Sequence, residues 1–245
     1  MKISLLMPTR ERLNLTLTII SSIITTVDDI NNVELLCGID DDDPTKDIIL
    51  KICQAIPFVK YIPIHNQGKF MGLSKMWNIL ANNSNEEIYG YVGSDMIFKT
   101  KGWDTQILNT FNKQNLPNDG LKLVYCYDGH RNGDLCTNAF IGRKYVDLMG
   151  YICRPEFLIN YSDRWLMQVF NAFNRTKYRP DIEIFHNHWV YGQRAKDKTA
   201  ERMLSDNHDK ISDQLWKDLA PERKKEVEKL AKYLNMEPDW SKVEI

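Results

Sequence analysis

Residues 88–104 read IYGYVGSDMIFKTKGWD, and the fold turns on how this stretch is read. Ile88-Tyr89-Gly90-Tyr91-Val92 is an apolar, β-branched and aromatic run of the kind that forms a buried strand. It breaks at Gly93 and reaches a carboxylate, Asp95, before the apolar pair Ile97-Phe98 and the closing Gly102-Trp103-Asp104. In open α/β sheets, ligands bind beyond the carboxyl ends of the strands. A carboxylate there is costly to bury unless it is paired, hydrogen-bonded or bound to a metal. Asp95 is therefore the expected centre of an active site.

The surrounding sequence supports an α/β reading. Short apolar runs predict strands over 3–7, 33–39 and 59–64, and helical patterns predict helices over 13–24, 45–55 and 73–81. This alternation is the signature of βαβ units in a mainly parallel sheet. Further strands are predicted over 121–127, 139–141 and 182–185, and helices over 143–149 and 163–173. From about Lys196 the chain becomes charged and helical, with apolar positions such as Leu215, Leu219, Val227 and Leu230 interrupted at Pro221, which suits a helix's first turn. The expected organisation is a domain over 1–195 followed by a C-terminal helical appendage over 196–245.

Bulk composition narrows the function classes. The 245 residues are 43% hydrophobic and 27% charged, as expected of a globular chain. A formal net charge of −1 supplies no global attraction to nucleic acid or anionic membrane. Five dispersed cysteines with no Cys-x-x-Cys pair fit reduced thiols in a cytoplasmic setting better than a disulfide framework or zinc site. No apolar run approaches the roughly 20 residues that span a bilayer. The N-terminus reads as a first strand rather than a signal peptide.

Several groups gather at predicted strand ends. Asp40 closes the second strand and opens Asp40-Asp41-Asp42-Asp43; it can hydrogen-bond a ribose or base, or belong to a solvated turn capping the next helix. Pro8, Thr9 and Arg10 follow the first strand and can present backbone, hydroxyl and guanidinium groups to a nucleotide. Gln67 to Lys75 combines Gly68 and Gly72 with Lys69 and Lys75 at a helix N-terminus, an environment that favours a diphosphate. It lacks P-loop spacing. His186 and His188 follow a strand, and alternate residues of an extended segment face one way, so both imidazoles can point to one site and one of them can complete a metal shell begun by Asp95. Asp163 precedes an apolar helix and is either its N-cap or a general base.

Taken in order, these pieces resemble the GT-A-fold nucleotide-sugar glycosyltransferases, most closely the family-2-like enzymes of phages and bacteria. The resemblance runs from residue 3 to about 190. It rests on Pro8-Thr9-Arg10, Asp40, Gly68 to Asn78, Gly93-Ser94-Asp95, Phe98, Gly102-Trp103-Asp104, Tyr161 to Trp165 and His186-Asn187-His188. It implies a Rossmann-like, open, mostly parallel sheet flanked by helices. It also implies a nucleotide-diphosphate sugar as donor, Mn²⁺ or Mg²⁺ as divalent cation, and an acceptor hydroxyl attacking the anomeric carbon. On that basis Asp95 and His186 or His188 ligate the cation. Asp40, Thr9 and Arg10 hold the nucleoside, with Pro8, Gly68, Lys75 and Ser94 beside them, and Asp163 is the base of an inverting transfer. Many relatives carry Gly-Asp-Asp where this chain has Gly93-Ser94-Asp95, so the acid-x-acid pair is incomplete.

Two other readings compete: a nucleotidyltransferase on a similar scaffold, and a non-catalytic nucleotide-sugar or glycan-binding relative. The resemblance leaves the acceptor open among a hydroxymethylated DNA base of a phage genome, a glycan, a lipid-linked group and a protein hydroxyl. A DNA acceptor requires a cationic track, for which Lys99-Thr100-Lys101 and the stretch from Arg175 to Arg179 are the candidates. A phage origin would place the enzyme in the host cytoplasm.

Overall fold

The structure, a computed structural model, describes the chain except for Gln67, Lys69 and residues 113–116, and describes only the backbone of Asp206. The first half alternates as expected: β1 (Ile3–Thr9), α1 (Leu13–Thr26), β2 (Val33–Asp40), α2 (Lys46–Ala55), β3 (Val59–Ile64), α3 (Leu73–Asn82) and β4 (Ile88–Tyr91). The middle comprises β5 (Met96–Phe98), α4 (Trp103–Asn112), β6 (Leu123–Tyr127), β7 (Ala139–Gly142), α5 (Arg143–Met149), α6 (Ser162–Asn171) and β8 (Thr176–His186). Helices α7 (Lys198–Leu204), α8 (His208–Asp218) and α9 (Ala220–Leu234) follow, with Pro221 in the first turn of α9.

Among the described residues, eight strands form one mixed sheet in the order β3-β2-β1-β4-β7-β6-β8-β5. β3, β2, β1 and β4 are mutually parallel, β7 runs against both β4 and β6, and β8 runs parallel to β6. Two antiparallel steps restore the original direction, so β1, β2, β4 and β8 all point their carboxyl ends to the same edge. β5 pairs antiparallel with the far half of β8.

β1, β2 and β4 are buried on both faces, which is why they read as nearly unbroken apolar runs, whereas the edge strand β3 is only partly buried. Along β1, Ile3, Leu5 and Met7 pack with Ile19, Ile20 and Ile23 of α1, whereas Leu6 turns to Trp77 and Leu80 of α3. Pro8 lies beyond Leu6, where the register with β4 ends, so its missing N–H costs that ladder nothing.

The C-terminal helices complete one of these cores: Trp216, Val227, Leu230 and Val243 join Tyr145, Trp165 and Phe170. Buried Glu226 of α9 accepts hydrogen bonds from the hydroxyls of Tyr145 and Tyr151 and from Trp165 Nε1. Burial raises its carboxyl above the usual range against those bonds. The Arg223 guanidinium sits 3.9 Å from the Trp216 ring and 5.0 Å from that of Trp165, and donates to the Glu244 carbonyl.

β5 and α4 are not anticipated from the sequence, and β8 starts six residues before the predicted strand. The first half of β8 is polar and nowhere fully buried, so it carries no apolar signal. Its register with β6 jumps from Cys126↔Arg179 to Tyr127↔Glu183, and Pro180 falls inside that bulge, where no N–H is required.

Candidate active site

The shared carboxyl edge opens into a cavity of about 930 Å³. Pro8, Thr9 and Arg10 from the end of β1, Asp40 from β2, Ser94 and Asp95 after β4, and His186 and His188 from the end of β8 all line it. Asp163 lines it from α6.

Asp95 and His186 are neighbours because of strand register. Met96 pairs with His186 across β5 and β8, and Asn187 N–H donates to the Asp95 carbonyl at 2.8 Å. Asp95 Oδ1 consequently lies 3.5 Å from His186 Nε2. One ligand atom each from Asp95, His186 and His188 fall within 4.8 Å of one another. One carboxylate and two imidazoles form a mixed O/N set that suits a first-row divalent cation. His188 Nδ1 accepts the Val190 N–H at 3.3 Å, which puts the proton of the neutral ring on Nε2, so a cation would take Nδ1 in place of that N–H or move the proton to Nδ1. Burial, reinforced by the charge of His186, lowers the His188 imidazole to about 4, so it is a neutral ligand at ordinary pH. The Ser94 hydroxyl, buried beside this set, has no hydrogen-bond partner among the described residues. An orphaned polar atom at such a point fits a site built around a bound group.

Burial alone would raise the Asp95 carboxyl. The hydrogen bond and charge of His186, then the charge of Arg12 and the hydrogen bond from Arg194, hold it well below the usual carboxylate range. Arg194 Nη2 donates to Asp95 Oδ2 at 2.9 Å, and Arg12 Nη1 lies 3.6 Å from the same oxygen. Both arginines are anchored on Asp197. Arg12 Nε and Nη2 reach its two oxygens at 2.9 and 3.1 Å, and Arg194 Nη1 donates at 2.8 Å. Asp197 in turn caps α7 through the Ala200 N–H at 2.7 Å.

Arg10 and Arg12 part company at Glu11, whose φ of 52° is left-handed, an uncommon conformation for a non-glycine residue. The Glu11 N–H donates to Asp43 at 3.0 Å, and Asp43 also accepts from the backbone and side chain of Thr45. Arg10 therefore turns to Asp40, at 3.1 Å, and to Asp42, while Arg12 turns to Asp95. Arg202 of α7 approaches the same Asp40 oxygen at 3.3 Å, and Thr199 donates to the Arg10 carbonyl at 2.6 Å. Sequence reasoning missed Arg12, Arg194, Asp197, Thr199 and Arg202. The segment after His188 reads as solvated charge, and no spacing rule links it to strand ends more than 90 residues upstream.

Asp163 is not the N-cap of α6. Tyr161 holds that position in a left-handed conformation, and Asp163 sits in the first turn with Oδ1 accepting the Arg164 N–H at 2.8 Å. Burial raises its carboxyl above the ordinary aspartate range, opposed by that hydrogen bond and the charge of Arg131. Gly68 and Lys75 are not among the lining residues, and Lys75 is exposed on α3. Gln67 and Lys69 of the same loop lie outside the described residues. The start of α3 is committed to packing: the Leu73 N–H donates to the Leu158 carbonyl at 2.6 Å, and a Cβ at Gly72 would meet Leu158 at 3.0 Å. The expected cationic track is neutralised in part, with Lys101 and Lys177 left exposed. Lys99 pairs with Glu183, nearly fully buried Arg175 with Asp119, and Arg179 with Asp181.

No protein-family model and no curated protein matches the chain in sequence. Solved structures match it in fold. A mannosyltransferase from Pyrobaculum calidifontis, in complex with GDP-Man and Mn²⁺, superposes with a TM-score of 0.60 at 11% identity over 80% of this chain. Residues 1–349 of TarS from S. aureus, in complex with UDP, give 0.58 at 14% identity over 86% of this chain. The same fragment with UDP-GlcNAc gives 0.55 at 13% identity over 83%. The chain spans 57%, 70% and 64% of these structures respectively. The sheet and its flanking helices are thus those of a GT-A-like glycosyltransferase fold.

Proposed function

We propose that this chain is a glycosyltransferase that moves a sugar from a nucleotide-diphosphate sugar to an acceptor hydroxyl with inversion, as a family-2-like enzyme does. The observation that carries the proposal is the convergence of Asp95, His186 and His188 in the cavity that Asp163 also lines. GDP-Man with Mn²⁺, and UDP-GlcNAc, in the structures of similar fold support a nucleotide-sugar donor and a divalent cation. In this reading Thr9, Arg10 and Asp40 hold the nucleoside, with Pro8 shaping the floor. Asp95, His186 and His188 hold Mn²⁺ or Mg²⁺, which when bound offsets charge on the diphosphate leaving group. The Asp163 carboxylate takes the acceptor's hydroxyl proton as the new carbon–oxygen bond forms and the bond to the diphosphate breaks. Its raised affinity for a proton suits that role.

Asp134, Asp163, Asp209 and Asp213 line the cavity together with Arg131 and Arg164. Carboxylates outnumber cations there, which suits a glycan or protein hydroxyl better than the phosphates flanking a hydroxymethylated DNA base. No described helix is long and apolar enough to cross a membrane. The five cysteines are all buried and unpaired, which supports a reducing, cytoplasmic setting. Residues 1–195 would form the catalytic scaffold and 196–245 the part that completes its wall.

Hydrolysis of a panel of nucleotide sugars in Mn²⁺ tests class and donor together. Release of one nucleoside diphosphate above background is expected, and turnover of none would sink the proposal. Glycan, peptide and hydroxymethylated-DNA acceptors added to the active donor then sort the acceptor classes.

A further inference from the structure

Among the described residues, two donors next to Asp95 make no hydrogen bond. Arg12 commits Nε and Nη2 to Asp197, but among the described residues its Nη1 makes no hydrogen bond. At 3.6 Å from Asp95 Oδ2 it stands just beyond bonding range while lining the cavity. The Ser94 hydroxyl is the second: the residue is 1% exposed and lines the same cavity, and its hydroxyl has no hydrogen-bond partner among the described residues. Unspent donors call for an acceptor, and one of these two carries a positive charge.

We propose that Arg12 Nη1 and the Ser94 hydroxyl bind an oxygen of the donor diphosphate directly, making nucleoside diphosphate binding only weakly dependent on the divalent cation. The inference rests on the glycosyltransferase reading above and assigns that site a second source of charge neutralisation. The Asp197 fork holds the Arg12 guanidinium plane, and Arg194, held by the Asn187 carbonyl and Asp197, fixes the Asp95 carboxylate behind it. Arg194 is thereby a positioning residue, whereas Arg12 touches the ligand. A serine in place of an acid at position 94 is consistent with this division: it offers a proton to the diphosphate where a second carboxylate would repel it.

Calorimetric titration of UDP and GDP into the full chain, in EDTA and in Mn²⁺, tests the proposal. For the nucleotide that binds, affinities in the two buffers should differ by roughly ten-fold or less. Arg12→Ala should widen that ratio to about 100-fold, and Arg12→Lys should fall between, since it keeps the charge and loses the fork. Ser94→Ala removes a hydroxyl with no partner and should fold normally, yet weaken binding in EDTA about five-fold. Ser94→Asp should make binding strongly Mn²⁺-dependent. Tight binding by the unsubstituted chain only in Mn²⁺, or a ratio unmoved by both Arg12→Ala and Ser94→Ala, overturns the proposal and leaves the glycosyltransferase reading standing. Failure of both nucleotides to bind in either buffer, together with no turnover of any nucleotide sugar, overturns both.

Discussion

Arg202 of α7 and Asp40 at the end of β2, 162 residues apart in the chain, meet at 3.3 Å on the oxygen that Arg10 also holds. The C-terminal helices therefore help to build the nucleotide end of the cavity as well as the core beneath it. Asp40 carries the imprint: burial raises its carboxyl, and the charges of Arg10 and Arg202 work against that.

Removing residues 196–245 should cost both stability and ligand. The truncated chain would expose Tyr145 and Trp165 and lose Glu226, Arg223, Arg202 and Asp197 at once. Loss of a cooperative thermal transition is expected. Arg202→Ala in the full chain should keep that transition and weaken nucleotide binding about ten-fold by calorimetry.

Gly93 keeps clear of the Asp95 carboxylate: a Cβ there would stand 2.7 Å from Oδ1. Gly93→Ala should push that oxygen off the line to His186 while costing the fold little. Mn²⁺ binding, followed by loss of the free-ion signal in electron paramagnetic resonance, should weaken about ten-fold. An unchanged titration would show that Oδ1 is not a ligand.

Asp163 should set an acid limb in the rate of transfer. Its folded carboxyl is raised, so activity should fall as pH drops through a value above the roughly 3.9 of an ordinary aspartate. Asp163→Asn should abolish transfer with donor binding intact. A carboxyl whose folded value exceeds its unfolded one contributes stability below the unfolded value and loses it as pH rises through the folded one. The asparagine variant should accordingly gain stability over the parent as pH rises through that folded value, read as a widening gap between their urea midpoints. A constant gap would separate Asp163 from the acid limb.

Asp104, wholly buried, accepts from the backbone N–H groups of Asp28 and Asp29 and from Asn32 Nδ2. It ties the end of α1 to the start of α4, and none of these residues lines the cavity. Asp104→Ala would orphan these donors and should destabilise the chain by about 2–4 kcal/mol in urea unfolding. UDP and GDP affinities should not change, and a large loss would instead place the Gly102-Trp103-Asp104 turn in the site.

The sequence by itself determined the alternating strands and helices of the first half, because a strand buried on both faces must be almost wholly apolar. It also located Asp40, Asp95, His186 and His188 at strand ends, since a polar residue closing such a run has only the sheet edge to occupy. What it could not show is how the second half returns to that edge. Two reversals through β7 and β6 bring β8 alongside, and the Met96↔His186 register puts a histidine beside Asp95; the β4–β7, β6–β8 and β5–β8 pairings behind this join residues distant in the chain, as Leu123↔Thr176 and Met96↔His186 do. Only the tertiary structure turned Arg12 toward Asp95 and brought Arg194, Asp197 and Arg202 to the cavity. Charged residues on a short helix look solvated in sequence, and their partners are decided by where the C-terminal helices must pack to bury Trp216, Val227 and Leu230.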